Sequence, residues 1–357
     1  MSTSYYQLIL DKLDALVKSR FIEMFGDLRD NPKNWNTFDL KTLSNEKTMP
    51  YGVAASAVEY NGKYRYIRIT DINDDGTLGE DRVSPNMYED HHILKINDFL
   101  FARTGSVGKT FLYTSDHEDA VFAGYLIKFA PDTQRINPIF LYHFTKTSYY
   151  EGFVSSMSHG GVQPNINAKQ YSSLKVRLPP IGLQNKFADF VKQVDKSKFI
   201  AKQCLEKYNQ LVKSRFIEMF EGKKFPIKKI SEIFKTQSGG TPLTSKREYY
   251  ENGTIPWVVT SDVLKRNIES TEKCITVEGL KNSSAKMTPV GSVLVTMYGT
   301  IGEPGILRME ACTNQAVCAI LPSDKIIPEY LMYFIMSKKH ELISNSAGGV
   351  QKNISQG

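Results

Sequence analysis

The stretch that most invites a chemical reading is Arg103-Thr-Gly-Ser-Val-Gly-Lys-Thr110, which approaches the phosphate-cradling pattern GxxxxGK[ST]. It fails at the first glycine, where Arg103 stands. A phosphate loop also needs a helix behind it, so that helix-terminal amides face the anion. Here Phe111-Leu-Tyr-Thr-Ser-Asp116 reads as strand and turn, and a related segment later in the chain carries Glu303 where this one has Lys109. A glycine-rich hairpin turn that brings backbone close to something is the better reading. Transfer of a methyl group to a base amine would call for an Asn/Asp-Pro-Pro-aromatic loop, but the one Pro-Pro pair, in Leu178-Pro-Pro-Ile181, has neither Asn nor Asp before it. Metal-dependent cleavage needs clustered carboxylates near a lysine, and the best string, Glu221-Gly-Lys223, reads as the solvated end of a helix.

The remaining chemistry-bearing residues are scattered. His91-His92 read as surface residues, since neighbours in a strand point to opposite faces. His117, His143, His159 and His340 are isolated, and Cys204, Cys274, Cys312 and Cys318 form no CxxC pair. The pattern excludes a disulfide framework and a zinc site, and nominates no catalytic residue and no bound metal. No apolar run approaches membrane-spanning length and the N-terminus lacks the pattern of a secretory signal, so a cytoplasmic protein without a membrane partner is expected.

What positions these residues is a repeat. LVKSRFIEMF occurs at Leu16–Phe25 and again, unchanged, at Leu211–Phe220, an offset of 195. Arg103-Thr-Gly-Ser-Val-Gly108 is echoed by Met297-Tyr-Gly-Thr-Ile-Gly302, and Gly160-Gly-Val-Gln-Pro-Asn-Ile by Gly348-Gly-Val-Gln-Lys-Asn-Ile. The chain is two divergent copies of one unit. Each opens on a helix. From Gln184 to Glu221 there is no Gly or Pro, and Phe187, Val191, Val194, Ala201, Leu205, Tyr208, Val212, Phe216 and Met219 form one apolar stripe. Such a narrow stripe needs a partner, so a coiled-coil contact is expected, either with the Leu10, Leu13, Val17, Phe21 stripe of the N-terminal helix or between chains. The subunit-interface candidates are accordingly Leu13, Val17, Phe21, Phe187, Val191, Val194, Leu205, Tyr208, Val212 and Phe216.

Between the helices the pattern turns to short β-branched and aromatic runs punctuated by turn residues, with one short helix per unit at Pro138–Tyr150 and Pro328–Ile343. The fold class is therefore α+β: two mixed, strand-rich modules joined by long helices forming a coiled coil. The divisions expected are a helix over 1–25, a module over 26–183, a central helix over 184–222 and a second module over 223–357. Residues 26–183 hold 17 Lys or Arg against 18 Asp or Glu, whereas residues 184–224 hold 10 against 5. Any nucleic-acid contact of the first module must then come from a local patch.

Two similar modules held apart by long helices suit two sites at a fixed distance, and DNA offers such sites on successive groove faces. At this point the chain resembles the specificity subunit of type I restriction-modification systems. The resemblance rests on Leu178-Pro-Pro-Ile-Gly-Leu-Gln-Asn-Lys-Phe-Ala-Asp-Phe190, on LVKSRFIEMF, on Met49-Pro-Tyr-Gly-Val53, Ser238-Gly-Gly-Thr-Pro242 and Pro256-Trp257, and on the two Gly-Gly-Val-Gln-x-Asn-Ile strings. It covers nearly the whole chain. It implies two target recognition domains that read a bipartite sequence in double-stranded DNA. It also implies docking to modification subunits, which transfer methyl groups from S-adenosylmethionine to adenine, and to motor-nuclease restriction subunits; S-adenosylmethionine, ATP and Mg would then be bound by those partners and no cofactor by this chain. Gly357 aligns near residue 169, so counterparts of Gln170–Phe220 lie beyond the last residue. Either a truncated chain or a self-associating half-type subunit is expected from that register.

By class, Asn, Gln, Arg, Lys, Ser, Thr and Tyr near glycine-rich turns are the candidates for base or phosphate contact. In the first module these are Tyr51, Ser56, Arg103, Ser106, Lys109, Gln163 and Asn165. In the second they are Thr241, Lys246, Tyr298, Thr300, Gln351, Lys352 and Asn353. Strings shared by both modules suit scaffold or phosphate contact better than base reading. A single-chain restriction-methylation enzyme lacks room here for its methyltransferase domain, and a coiled-coil scaffold not specific for DNA is the remaining alternative.

Overall fold

The computed structural model describes residues 3–157, 164–220 and 222–344. It divides into two compact units, residues 12–198, and residues 1–11 together with 199–357.

The first unit is built on two helices. α1 (Thr3–Phe25) stops at Gly26, whose φ of 76° suits a residue without a Cβ. The chain then runs through β1 (Asn36–Asp39), β2 (Ala57–Glu59), β3 (Arg65–Ile67), β4 (Val83–Pro85), β5 (Phe99–Ala102), β6 (Thr110–Leu112), β7 (Ala120–Phe122) and β8 (Leu126–Phe129). α2 (Pro138–Phe144), α3 (Ser148–Met157), α4 (Ala168–Ser172) and β9 (Lys175–Leu178) follow, before α5 (Ile181–Phe220) begins just beyond Pro179-Pro180. Phe187, Ala188, Val191 and Val194 are the buried apolar positions of α5, a single stripe at helical spacing.

That stripe packs antiparallel on α1. Phe21 and Phe25 meet Phe187 edge-on at 5.3 and 5.4 Å, and Lys198 reaches Asp14 at 2.5 Å. Phe140 of α2 stacks on Phe21 at 5.7 Å and meets Phe25 edge-on at 5.0 Å, so the helix pair and the module share one core. Burying each of these rings is worth about 1.5–3 kcal/mol. Strands β6-β5-β8 form an antiparallel sheet, β3 pairs parallel with β7, and β1 pairs with β9, closing the module beside α5.

The second unit repeats this plan. Its elements are α6 (Ile230–Ile233), β10 (Thr236–Ser238), β11 (Ile255–Val258), α7 (Thr260–Val263), β12 (Asn267–Ile268), β13 (Cys274–Ile275), α8 (Val277–Lys281), β14 (Met287–Thr288), β15 (Val293–Thr296), β16 (Pro304–Leu307), β17 (Ala311–Thr313), β18 (Val317–Ile320), α9 (Pro328–Ser337) and α10 (Lys339–Ser344). Order β16-β15-β18 matches β6-β5-β8, and the parallel pair β11–β17 matches β3–β7. Pro256-Trp257 lies in β11, where the Trp257 indole N–H donates to the Gly240 carbonyl at 3.1 Å. Gly240 lies so close to Ala285 that a Cβ would fall 2.2 Å from its nitrogen. These strings hold the second module together.

Local chemistry revises three expectations. The helix expected over Pro138–Tyr150 is two helices, because the hydroxyls of Thr145 and Thr147 donate to the carbonyls of Tyr142 and Phe144 and offer the backbone an exit. Ser337 donates likewise to Phe334 where α9 gives way to α10. His91 and His92 lie in a 3-10 turn with rings 3.8 Å apart, and His92 is buried, its Nδ1 accepting from the Glu89 N–H.

Candidate nucleic-acid interface

The echo around Gly105 and Gly299 is a hairpin built twice. Between β5 and β6, Gly105 and Gly108 have φ of 72° and 85°; between β15 and β16, Gly299 and Gly302 have 72° and 75°. These left-handed values explain the glycines at both turns. The Lys109 N–H donates to the Ser106 carbonyl at 3.1 Å, which leaves Ser106 exposed at the tip. In the second hairpin the Thr296 hydroxyl donates to the Thr300 carbonyl, and Tyr298 and Thr300 stand exposed.

Each turn is then anchored by a charge. The Lys109 ammonium donates to the Ile72 carbonyl at 2.9 Å and meets Asp74 at 2.8 Å, holding the Asp74 carboxyl below its ordinary range. Its counterpart Glu303 meets Arg266 at 2.5 Å and also pairs with Lys339. Burial raises Glu303, but these two cations outweigh it and its carboxyl lies low. Lys109, a candidate for polyanion contact, thus places its ammonium on two partners within the module.

Three candidates of the first module converge. The Arg103 guanidinium lies 4.8 Å over the Tyr51 ring, and the Arg103 carbonyl accepts from the Ile166 N–H at 2.8 Å. Asn165 bridges Thr104, and the Tyr51 hydroxyl accepts from the Ala168 N–H at 3.1 Å. Tyr51, Arg103 and Asn165 thus gather at one end of the β6-β5-β8 sheet. Tyr125, which is not among the sequence candidates, joins them through its backbone: its carbonyl accepts from the Arg103 N–H at 2.9 Å, and the residue is 62% exposed. The signal that could have found it is strand register, since Ala102 opposite Leu126 places Arg103 opposite Tyr125.

Ser56 stands on a separate pairing, its N–H donating to Asn86 Oδ1 at 2.9 Å. In the second module the Thr241 hydroxyl donates to Gln315, and Lys246 folds onto Tyr249, with 3.1 Å to its hydroxyl and 5.0 Å to its ring. Gln163, Gln351, Lys352 and Asn353 lie outside the described residues.

The helical candidates divide into two groups. Leu13, Val17, Phe21, Phe187, Val191 and Val194 pack in one core inside the first unit. Leu205 and Val212 are half-buried and Tyr208 is exposed, while Phe216 packs against Tyr330 and Tyr333 of α9 at 5.5 and 6.1 Å. Among the described residues no cluster of His, Cys, Asp and Glu could hold a metal ion, and no helix is long and apolar enough to cross a membrane.

A tandem α+β protein, with a glycine hairpin displayed at the sheet end of each module, is the class this arrangement defines. The family described as type I restriction modification DNA specificity domain matches residues 32–210 and 222–357, and the chain belongs to it. The chain is 31% identical over 120 residues to the specificity subunit of the type I restriction enzyme EcoR124I/EcoR124II of Escherichia coli, covering 32% of this chain and 30% of that one. It is 33% identical over 131 residues to the MjaIX specificity subunit of Methanocaldococcus jannaschii, covering 36% and 30%. The chain thus spans about a third of the length of these two curated relatives. Over 352 residues it is 21% identical to the putative MjaX specificity subunit of the same organism, covering 90% and 80%. Among solved structures it is similar to a chain of a type I R-M system complex (TM-score 0.48, 16% identity, 91% and 83% covered) and to the S subunit from M. genitalium (TM-score 0.45, 14% identity, 90% and 85% covered).

Proposed function

We propose that the chain is the sequence-reading subunit of a type I restriction-modification complex, acting in the cytoplasm without chemistry of its own. Each module reads one half of a bipartite target in double-stranded DNA, with an unread gap between the halves. Modification subunits carrying S-adenosylmethionine methylate adenine within the bound target, and restriction subunits carrying ATP and Mg cleave unmodified DNA. One observation carries this reading: a single scaffold is built twice in the chain, with the same strand order and the same hairpin, but with different side chains exposed on it. Two copies of one scaffold with different exposed faces suit two different half-sites.

On this reading Tyr51, Arg103, Ser106 and Asn165, with Ser56 at the margin, face the first half-site. Thr241, Lys246, Tyr298 and Thr300 face the second, and Gln163, Gln351, Lys352 and Asn353 belong to the same surfaces by sequence position. Lys109 and Glu303 shape the hairpins from behind. Half-type assembly, with a second copy supplying a helix against Leu205, Tyr208 and Val212, fits the exposure of Tyr208 between its half-buried neighbours.

The test is to express the chain with its modification subunit in a host free of DNA methylation and to map modified adenines across the genome by single-molecule sequencing. A two-part motif with a fixed gap is expected. A stable complex that leaves no new methylation would reject the reading.

A further inference from the structure

The two modules share a backbone, so positions that coincide in it can be compared directly. In the first module Tyr51 and Phe101 both pair with Ile127, and the Arg103 N–H donates to the Tyr125 carbonyl at 2.9 Å. In the second, Ser238 and Val295 both pair with Cys318, and the Met297 N–H donates to the Ala316 carbonyl at 2.8 Å. Tyr51, Arg103 and Tyr125 therefore correspond to Ser238, Met297 and Ala316. A guanidinium over a phenol ring, with a second tyrosine opposite it across the strands, corresponds to a hydroxyl, a thioether and a methyl in the second module. The fold tolerates either set, so this chemistry is not what the scaffold requires.

On the reading above, what distinguishes the modules is the half-site each recognises. We infer that Arg103, stacked on Tyr51 and paired through its backbone with Tyr125, reads a G·C base pair in the half-site of the first module, and that the second module has no equivalent element. The guanidinium fork matches the O6 and N7 acceptors that guanine presents in the major groove. Packing over Tyr51 pre-orders a side chain that otherwise loses much rotamer freedom on binding. Arg103 Nε is buried against the module without a hydrogen-bond partner among the described residues, so the outer nitrogens of the fork are the ones left to meet a base, and Lys109, six residues on, holds Ile72 and Asp74. Tyr125, 62% exposed and opposite Arg103 across the strands, would on this inference lie against the neighbouring base or sugar.

This inference rests on the proposed function, and the experiment separates the two. The wild-type complex with its modification subunit is mapped first; absence of any motif would sink the function itself. Given a bipartite motif, Arg103→Ala is expected to erase a G·C preference at one position of one half and to leave the other half intact. Affinity for the cognate duplex should fall roughly 5- to 150-fold, with the salt dependence of binding unchanged. Arg103→Lys should restore part of the preference, and Tyr125→Ala, which removes a largely solvated side chain, should blur the same half only. A motif unchanged in Arg103→Ala would overturn the inference. So would a wild-type motif without a G·C pair in the affected half, or uniform weakening on all sequences with a salt slope smaller by about one, the mark of a phosphate contact. If Arg103→Ala lowers the melting temperature of the complex, the Tyr125→Ala motif decides alone: blurring of one half supports the inference and an unchanged motif overturns it.

Discussion

Lys109 and Glu303 hold the same place in the two modules and carry opposite charges, yet each ties its hairpin to a neighbouring segment. At this scale residue type misleads and partners decide: a lysine beside a glycine turn suggests a phosphate contact until its ammonium is found on the Ile72 carbonyl. The Asp74 side chain is almost fully exposed, so that ion pair adds little, and the hydrogen bond to Ile72 dominates. Lys109→Ala is therefore expected to destabilise the first module by about 1–2 kcal/mol, read by urea unfolding, and to leave the salt slope of DNA binding as it was. A slope reduced by about one would instead place Lys109 on a phosphate.

The ten residues LVKSRFIEMF adopt helix in both copies, but their surroundings differ. In α1, Phe21 is 4% exposed and enclosed by Phe187, Phe25 and Phe140. In α5, Phe216 is only half-buried, against Tyr330 and Tyr333. Phe21→Ala should cost about 3–5 kcal/mol, whereas Phe216→Ala should cost clearly less, and chemical unfolding of the two variants checks the order. Much at this scale was legible beforehand. The α5 stripe, the strand-and-turn character after Thr110 and the Pro-led helices all show in periodicity and punctuation. The breaks at Thr145 and Ser337 did not, because a hydroxyl that donates to its own backbone leaves no periodic trace.

Across the whole molecule, the proposed function makes the repeat two separately variable readers of one fold. Replacing residues 230–344 with the corresponding module of another family member is expected to change one half of the methylated motif and keep the other. A change in both halves, seen by mapping the methylome, would show that the modules do not read independently. Strings such as Ser238-Gly-Gly-Thr-Pro242 and Pro256-Trp257, which carry the family resemblance, serve the scaffold: the Gly240 carbonyl holds the Trp257 indole, and a Cβ on Gly240 would meet the Ala285 nitrogen.

By itself the sequence determined the duplication, the helical stripe and the α+β character, because each is written in the order and spacing of neighbouring residues. Only the tertiary structure decided which polar side chains turn inward and which stand together. Tyr51, Arg103, Tyr125 and Asn165 span more than a hundred residues of chain, and what joins them is strand register, a ring under a guanidinium and a backbone bridge. Such contacts form between segments that are distant in sequence, so no local pattern of residue types encodes them.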